Sequence, residues 1–287
     1  MKLKNTILFV LTLSVVTTVF GQQKFEPITE DVIYKIIKAD TLSLRLYYPD
    51  NFKKKTKHAT IVFFFGGGWN GGSIDQFEGQ SKYFASRGMV SVVVDYRVKN
   101  RNQSTPFDAV KDAKTAMRFL RSHAKDFGIH PEKIIAAGGS AGGHLAAATS
   151  MLPGINETTD NVSVSPKANA LILYNPVIDN GKGGYGYERI GDRYLEFSPI
   201  HNITKGAPPT IFFLGDRDKW IPVATAYSFK EKMEAVGSRC DIFIYKNQAH
   251  GFFNKGKQEG DKYYIETTRE ADVFLQSLGY LKGKATL

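Results

Sequence analysis

Residues 134–143 read I-I-A-A-G-G-S-A-G-G, and an alanine-rich segment follows them. A short apolar run thus breaks into glycines around Ser140 before a helix-forming segment begins. This pattern is typical of a buried strand, a very tight turn and a helix, with the serine at the apex of the turn. Such a turn strains the backbone, so the neighbours of the serine must be small, as Gly138, Gly142 and Gly143 are. Ser140 is therefore a candidate nucleophile; a glycine-rich turn in an ordinary α/β domain is the alternative.

A second glycine cluster ends another apolar run, since residues 61–69 read I-V-F-F-F-G-G-G-W. It resembles the H-G-G-G loop of lipases and esterases, whose backbone N–H groups bind the negative charge that develops on a substrate carbonyl oxygen. One such donor is typically worth about 3 kcal/mol of transition-state stabilisation. We expect Gly67 and Gly68 to supply two of these donors and Ala141, the residue after Ser140, to supply the third.

Two later segments combine a candidate strand with a loop that carries an acid or a histidine. Residues 210–222 contain Asp216 and Asp218 after an apolar run, and residues 247–253 contain His250. The chain order serine, aspartate, histidine is that of α/β-hydrolases and differs from the order in other triad folds. In that arrangement the histidine accepts the serine proton and passes it to the leaving alcohol, while the aspartate fixes the imidazole tautomer.

Together these motifs resemble the α/β-hydrolase superfamily, and most of all secreted bacterial esterases of the acetyl-esterase and feruloyl-esterase type. The resemblance covers residues 35–280 approximately and rests on the motifs F-G-G-G-W, D-Y-R, G-G-S-A-G-G-H, G-x-x-D-x-x-I-P and A-H-G-F-F in combination. It implies that the catalytic acid is Asp218, with Asp216 as the rival because it lies nearer the strand end. The chain departs from the family at Phe65, which stands where a histidine is usual, so the anchoring of the glycine loop is left open.

The remaining chain alternates strands and helices, which predicts an α/β-hydrolase fold with a mostly parallel central sheet and helices on both faces. Residues 32–48 alternate apolar and polar side chains, as antiparallel edge strands do. Further strands are predicted at 59–65, 90–94, 134–137, 168–173, 210–214 and 241–245, and helices at 76–87, 107–127, 223–236 and 264–278. Because ligands bind outside the carboxyl ends of parallel strands, we expect Ser140, Asp218 and His250 to meet at that edge.

A signal peptide is predicted at residues 1–21, followed by a single domain at residues 22–287. Lys2 and Lys4 precede an apolar stretch that is short for a membrane span, and small residues suit cleavage after Gly21. The alternative is an uncleaved N-terminal anchor. We therefore expect export to the periplasm or the medium, without stable membrane insertion.

Residues 179–207 interrupt the alternation and are rich in glycine and tyrosine. We expect them to form a lid or substrate loop, with an irregular packing loop as the alternative. Trp69, Trp220 and Phe252 each lie beside a catalytic motif. They are candidates for an apolar or sugar-stacking wall that binds substrate, and ordinary packing is the other explanation.

Composition limits the partners of this protein. The 287 residues carry a formal net charge of +10 and one cysteine, Cys240, which excludes an intrachain disulfide. The basic residues are mostly scattered and no nucleic-acid motif is present, so a solvated charged face is expected and nucleic acid is not an expected partner. No metal-ligand spacing such as H-x-x-x-H occurs, and no cofactor or metal is expected. His144, one helical turn after Ser140, is expected to make a structural hydrogen bond.

The sequence thus predicts an exported serine carboxylesterase that hydrolyses short acyl, notably acetyl, or aromatic esters, with polysaccharide esters among the candidate substrates. One alternative is a prolyl-oligopeptidase-like serine peptidase, although such enzymes usually carry a large additional N-terminal domain. The other is a non-catalytic hydrolase-fold binding protein, although such proteins usually lack a triad residue. Acyl chain length, the carrier alcohol and the oligomeric state do not follow from the sequence.

Overall fold

The structure, a computed structural model, describes residues 25–287, so the predicted signal peptide at residues 1–21 lies outside the described residues. The strands are β1 (Thr29–Ile37), β2 (Asp40–Tyr47), β3 (His58–Phe64), β4 (Val90–Val94), β5 (Ile129–Gly139), β6 (Ala170–Tyr174), β7 (Thr210–Gly215) and β8 (Cys240–Tyr245). The helices are α1 (Glu78–Ser86), α2 (Lys99–Asn102), α3 (Pro106–Ser122), α4 (Ala141–Met151), α5 (Tyr187–Ile190), α6 (Tyr194–Phe197), α7 (Val223–Ala235) and α8 (Lys262–Ser277). Short 3₁₀ turns occur at Ile74–Phe77, Gly191–Arg193, Pro199–His201 and Glu259–Asp261. None of the helices formed by residues 25–287 has the length and hydrophobicity needed to span a lipid bilayer.

The strands form one sheet in the order β1-β2-β4-β3-β5-β6-β7-β8. Strands β1 and β2 pair in antiparallel fashion, and β2 is antiparallel to β4, whereas all pairings from β4 to β8 are parallel. The predicted mostly parallel sheet with antiparallel edge strands is confirmed. Because β3 lies directly beside β5, the glycine loop after β3 and the turn after β5 leave the sheet side by side.

Two hydrophobic clusters cover the two faces of the sheet, as the predicted helices on both faces require. Phe64 of β3 belongs to the cluster that contains buried side chains of α3, α4 and α7. Its neighbour Phe63 belongs to the cluster that contains side chains of α1 and α8. Successive strand residues point to opposite faces, so continuous apolar runs of this kind are buried on both sides.

The two largest differences from the predicted boundaries are at the end of α3 and at the start of β5. Helix α3 starts at a capping box formed by Thr105 and Asp108 but ends at Ser122, earlier than the predicted end at residue 127. The chain then turns through Gly128, which has a φ of 61°, and β5 begins at Ile129, well before the predicted start. The early start of β5 reflects its pairing with β3, which an apolar-run argument does not detect.

A buried ion cluster joins the antiparallel edge of the sheet to α3. The Lys35 ammonium lies 2.6 Å from the Asp112 carboxylate and 2.8 Å from that of Glu157. Arg97, from the D-Y-R motif, donates to both oxygens of Asp112 at 2.8 Å through Nε and Nη2. The Asp112 side chain is completely buried, so its two cationic partners replace the water that it loses on folding.

We expect Asp112→Ala to lower the free energy of unfolding by about 3–5 kcal/mol, because it removes the buried carboxylate that both Lys35 and Arg97 contact most closely and leaves Glu157 to face the two cations. Urea unfolding followed by circular dichroism measures this loss. Asp31→Ala is the control, because the Asp31–Arg45 pair is largely exposed and should contribute about 1 kcal/mol or less. Equal effects of the two substitutions would contradict the structural role given to the cluster.

Candidate active site

Ser140 lies at the apex of the turn between β5 and α4. Its backbone has φ 54° and ψ −119°, a strained conformation that the surrounding packing must enforce. A Cβ at Gly142 would lie 2.0 Å from the carbonyl oxygen of Phe64, so only glycine allows α4 to approach the end of β3 this closely. The Ser140 N–H also donates to the Tyr174 carbonyl at 2.9 Å. The predicted strand–turn–helix geometry is therefore present, and it presents a partly exposed serine at the carboxyl edge of the sheet.

His250 and Asp218 form the hydrogen-bonded pair expected of a base and its orienting acid. His250 Nδ1 lies 2.6 Å from Asp218 Oδ2, and the Asp218 side chain is completely buried. The other Asp218 oxygen accepts N–H groups of Trp220 at 2.9 Å and Ile221 at 3.1 Å. These contacts fix the carboxylate, which in turn fixes the imidazole.

The rival acid, Asp216, has a different partner. Its Oδ1 accepts the backbone N–H of Asn247 at 2.7 Å, which ties the loop after β7 to the loop that carries the histidine. The geometry thus places Asp218, and not Asp216, against His250. From the sequence, only the resemblance to α/β-hydrolases had favoured Asp218 over Asp216.

The second imidazole nitrogen faces a residue that sequence reasoning missed. His250 Nε2 lies 3.3 Å from Asn175 Nδ2, and no hydrogen bond joins Ser140 Oγ to His250 among residues 25–287. Such contacts are often long in a ligand-free site and tighten only with substrate bound. Asn175 directly follows β6, between the strands that precede the serine and the aspartate. A polar residue at that strand end is the sequence signal that could have identified it.

Backbone hydrogen bonds orient the N–H groups that were predicted to bind an oxyanion. In a trans peptide the C=O and N–H point in opposite directions. The Gly67 carbonyl accepts N–H groups of Asn70 at 3.0 Å and Gly71 at 3.3 Å, which turns the N–H of Gly68 away from that turn. Gly67 itself has a φ of 126°, which residues other than glycine rarely adopt.

The third predicted donor is held in the same way. The Ser140 carbonyl accepts N–H groups of His144 at 3.0 Å and Val177 at 3.1 Å, so the N–H of Ala141 points to the opposite side. Within the described chain, the N–H groups of Ala141, Gly67 and Gly68 donate to no protein acceptor. They are therefore available to a ligand, as preorganised donors must be.

The glycine loop is anchored without the histidine that is usual in the family. The Phe65 ring stacks on the Tyr96 ring at 4.1 Å, and the Tyr96 hydroxyl donates to the Phe65 carbonyl at 2.6 Å. The Gly66 N–H donates to Gln76 Oε1 at 2.6 Å. These contacts show how the glycine loop is anchored although Phe65 replaces the usual histidine. The sequence analysis did not identify Gln76 or Tyr96 as anchors.

The segment at residues 179–207 lies against the glycine loop. Arg189 Nη1 donates to the Gly68 carbonyl at 2.6 Å and to Asn70 Oδ1 at 3.2 Å. A Cβ added to Gly68 would lie 2.4 Å from the Tyr185 hydroxyl, so this phenol fills the space beside the loop. The segment therefore contributes both an anchor and a boundary to the site.

The three aromatic residues predicted to line the substrate site lie in different environments. Trp220 is 55% exposed and its ring meets the His250 ring edge-on at 4.5 Å, which keeps it a candidate for the wall. Trp69 is 1% exposed beneath Tyr185, with ring centroids 6.0 Å apart, and packs against Phe197, so it belongs to the core and not to the wall. Phe252 is 3% exposed and packs against Tyr245, so it belongs to the core and not to the wall. The Phe252 side chain points inward because it packs in the hydrophobic cluster that contains buried side chains of α8.

His144, which follows Ser140 by one helical turn, and the single cysteine Cys240 are both buried. His144 Nε2 makes the expected structural hydrogen bond, to the Phe197 carbonyl at 2.9 Å, and burial lowers the pKa of His144 to about 3. Burial also raises the pKa of the Cys240 thiol to about 12, which keeps it protonated and unreactive. Across the described residues, no three His, Cys, Asp or Glu side chains are grouped so as to hold a metal ion.

Comparisons with known proteins find esterases among the relatives of this chain. Residues 44–181 match the BD-FAE family model. The structure of Thermogutta terrifontis esterase 2 with propionate bound is 42% identical, with a TM-score of 0.85, and the match covers 89% of this chain and 96% of that chain. The same esterase phosphorylated by paraoxon matches with a TM-score of 0.85 and the same identity and coverage. An acetylxylan esterase of Xylanibacter ruminicola is 27% identical over 69% of this chain and 41% of its own length. The chain spans about half the length of the curated relatives it matches.

We expect Asp218→Asn to slow the labelling of Ser140 by a fluorophosphonate probe about 10³–10⁴-fold, because the amide no longer enforces the tautomer that leaves Nε2 free to act as a base. Asp216→Asn is the matched control, since the amide oxygen can still accept the Asn247 N–H, and its labelling rate should stay close to that of the unmodified protein. Rates are measured by gel fluorescence. A comparable loss in both variants would contradict the assignment of Asp218.

The lowered pKa of His144 predicts a pH-dependent stability. The unfolded state takes up a proton near pH 6.5 and the folded state only near pH 3, so this residue makes the free energy of unfolding fall as the pH drops through that interval. Relative to His144→Gln, the unmodified protein should lose about 1.5–2 kcal/mol between pH 6.5 and 5. Urea unfolding at the two pH values measures it, and identical pH dependence in the variant would refute the prediction.

Proposed function

Because the chain belongs to the BD-FAE family of α/β-hydrolase esterases, we propose that it is an exported serine carboxylesterase. The observation that carries this proposal is the geometry at the carboxyl edge of the sheet. Ser140 follows β5 in a strained conformation, and the free N–H groups follow β3 and β5 at the same edge of the sheet. Asp218 and His250 follow β7 and β8 and share a 2.6 Å hydrogen bond. These are the parts that acyl transfer through a serine requires.

In the proposed reaction, His250 Nε2 accepts the proton of Ser140 Oγ while that oxygen attacks the ester carbonyl carbon. The imidazolium that forms is stabilised by the buried Asp218 carboxylate at Nδ1. The negative charge that develops on the carbonyl oxygen is bound by the N–H groups of Gly67, Gly68 and Ala141. His250 then protonates the leaving alcohol, and an acyl-enzyme remains on Ser140.

Deacylation repeats these steps with water. His250 takes a proton from the water as it attacks the acyl carbon, the oxyanion forms again in the same place, and the proton returns to Ser140 Oγ as the acid leaves. Every proton in this scheme is carried by the imidazole, so the scheme needs no cofactor.

A short acyl group is the proposed substrate specificity. Tyr185 fills the space beside Gly68, and the Trp220 ring lies against His250, so bulky aromatic groups border the reacting centre on two sides. The Thermogutta terrifontis esterase structures, which carry bound propionate and butyrate, support the same size class. The acetylxylan esterase among the relatives supports acetyl esters of a polysaccharide as the natural substrate.

We expect cleavage after Gly21, so that the intact mass of the mature protein corresponds to a chain beginning at Gln22. We expect this mature protein to hydrolyse p-nitrophenyl acetate fastest and to lose activity as the acyl chain lengthens to dodecanoate. Ser140→Ala should abolish this activity, because it removes the attacking oxygen. Initial rates at 405 nm measure it, and a prolyl p-nitroanilide measured beside the esters tests for peptidase activity. Preference for the anilide would favour a peptidase, and equal rates in the Ser140→Ala variant would exclude serine catalysis.

A further inference from the structure

Asn175 takes part in none of the proposed reaction steps, yet its backbone is tightly constrained. It directly follows β6, is completely buried and has a φ of 35°. Its N–H donates to the Phe213 carbonyl of β7 at 2.7 Å. Asparagine tolerates this left-handed region better than most residues, and buried asparagine with positive φ is uncommon enough to require an explanation.

The orientation of the Asn175 amide is fixed by a neighbouring backbone group. One end of the amide lies 2.9 Å from the N–H of Gly251, next to the catalytic histidine. A backbone N–H can only donate, so the atom that faces it must be the amide oxygen. The other end, which lies 3.3 Å from His250 Nε2, is therefore the NH₂ group. A flipped amide would place two donors against each other at Gly251.

This orientation determines which form of the imidazole fits. An NH₂ group only donates, so His250 Nε2 must present its lone pair to Asn175. Nδ1 then carries the hydrogen that is donated to Asp218 Oδ2 at 2.6 Å. Both contacts fit the neutral tautomer that can act as a base, and the contact to Asn175 disfavours the imidazolium, which would place two donors face to face.

The groups that surround the ring are otherwise neutral. Asp218, from the loop after β7, is the charged group in contact with the imidazole among residues 25–287. Asn175, after β6, and the Trp220 ring, at 4.5 Å, are both uncharged. Ser140, after β5, is uncharged as well. The two polar contacts of the ring are thus the one to Asp218 at Nδ1 and the one to Asn175 at Nε2.

We propose that Asn175 is a positioning residue that keeps His250 in the neutral, base-competent tautomer before substrate binds. This inference rests on the proposed esterase function, because it concerns the base of that reaction. Donation from the amide to Nε2 makes protonation of the free enzyme less favourable and so extends activity to lower pH. The contact is released when Nε2 turns to the proton of Ser140.

The test compares the pH dependence of kcat/KM for p-nitrophenyl acetate in two variants. Asn175→Asp keeps an oxygen for the Gly251 N–H but turns a carboxylate oxygen toward His250 Nε2, so the acid limb should move to higher pH by about 1 unit or more. Asn175→Gly keeps the positive φ but removes both contacts, and its acid limb should move in the same direction by less. Asn247→Asp adds the same charge at an exposed site three residues before His250, and its limb should move much less.

Two kinetic results would overturn the inference. If kcat/KM falls by the same factor at every pH in both Asn175 variants, the residue is merely structural. If Asn247→Asp moves the acid limb as far as Asn175→Asp does, the effect is one of charge and not of the contact to Nε2.

If the unmodified protein hydrolyses no ester, the proposed function fails instead. The ¹⁵N chemical shift of Nε2 in histidine-labelled protein then decides: it should report an unprotonated nitrogen down to a lower pH than in Asn175→Asp, and equal titrations would refute the role of Asn175.

Discussion

The close approach of the first turn of α4 to the carboxyl end of β3 is the contact on which the rest of the site depends. It leaves no room for a side chain at Gly142, whose Cβ would overlap the carbonyl oxygens of Phe64 and Phe65. The same approach forces the strained backbone of Ser140 and brings the N–H of Ala141 beside the glycine loop that follows β3. The close packing of the backbone thus positions the nucleophile and the N–H of Ala141 together.

Around this contact, the donors are oriented by bonds to the opposite ends of their peptides. Asn70 and Gly71 bind the Gly67 carbonyl, and His144 and Val177 bind that of Ser140. Electrostatic stabilisation of this kind needs little reorganisation during the reaction, which is the reason that fixed N–H groups outperform water. The loop keeps this rigidity although Phe65 replaces the usual histidine, since side chains from three other parts of the chain hold it.

Much of the fold follows from local sequence, because buried parallel strands read as continuous apolar runs and the helices between them are amphipathic. The catalytic motifs also lie in short segments, so Ser140, His250 and the glycine loop can be identified without coordinates. What escapes such reasoning is contact between distant segments. Arg189 lies 121 residues from Gly68, and Asn175 lies 75 residues from His250. The position of Asn175 after a buried strand could have marked it as a site residue, but no local pattern gives its contact with His250 or the contact of Arg189 with Gly68. The inward placement of Phe252 depends equally on packing against distant elements.

In the proposed reaction, Ser140 attacks an acyl carbon whose oxygen enters a preformed set of three N–H donors. A crystal structure of the protein inactivated by a small alkyl fluorophosphonate would show whether this set exists, since the adduct resembles the tetrahedral intermediate. We expect phosphorus bound to Ser140 Oγ, with its unsubstituted oxygen about 3 Å from the N–H groups of Gly67, Gly68 and Ala141. An adduct on another residue, or an oxygen directed away from these groups, would contradict the proposed reaction.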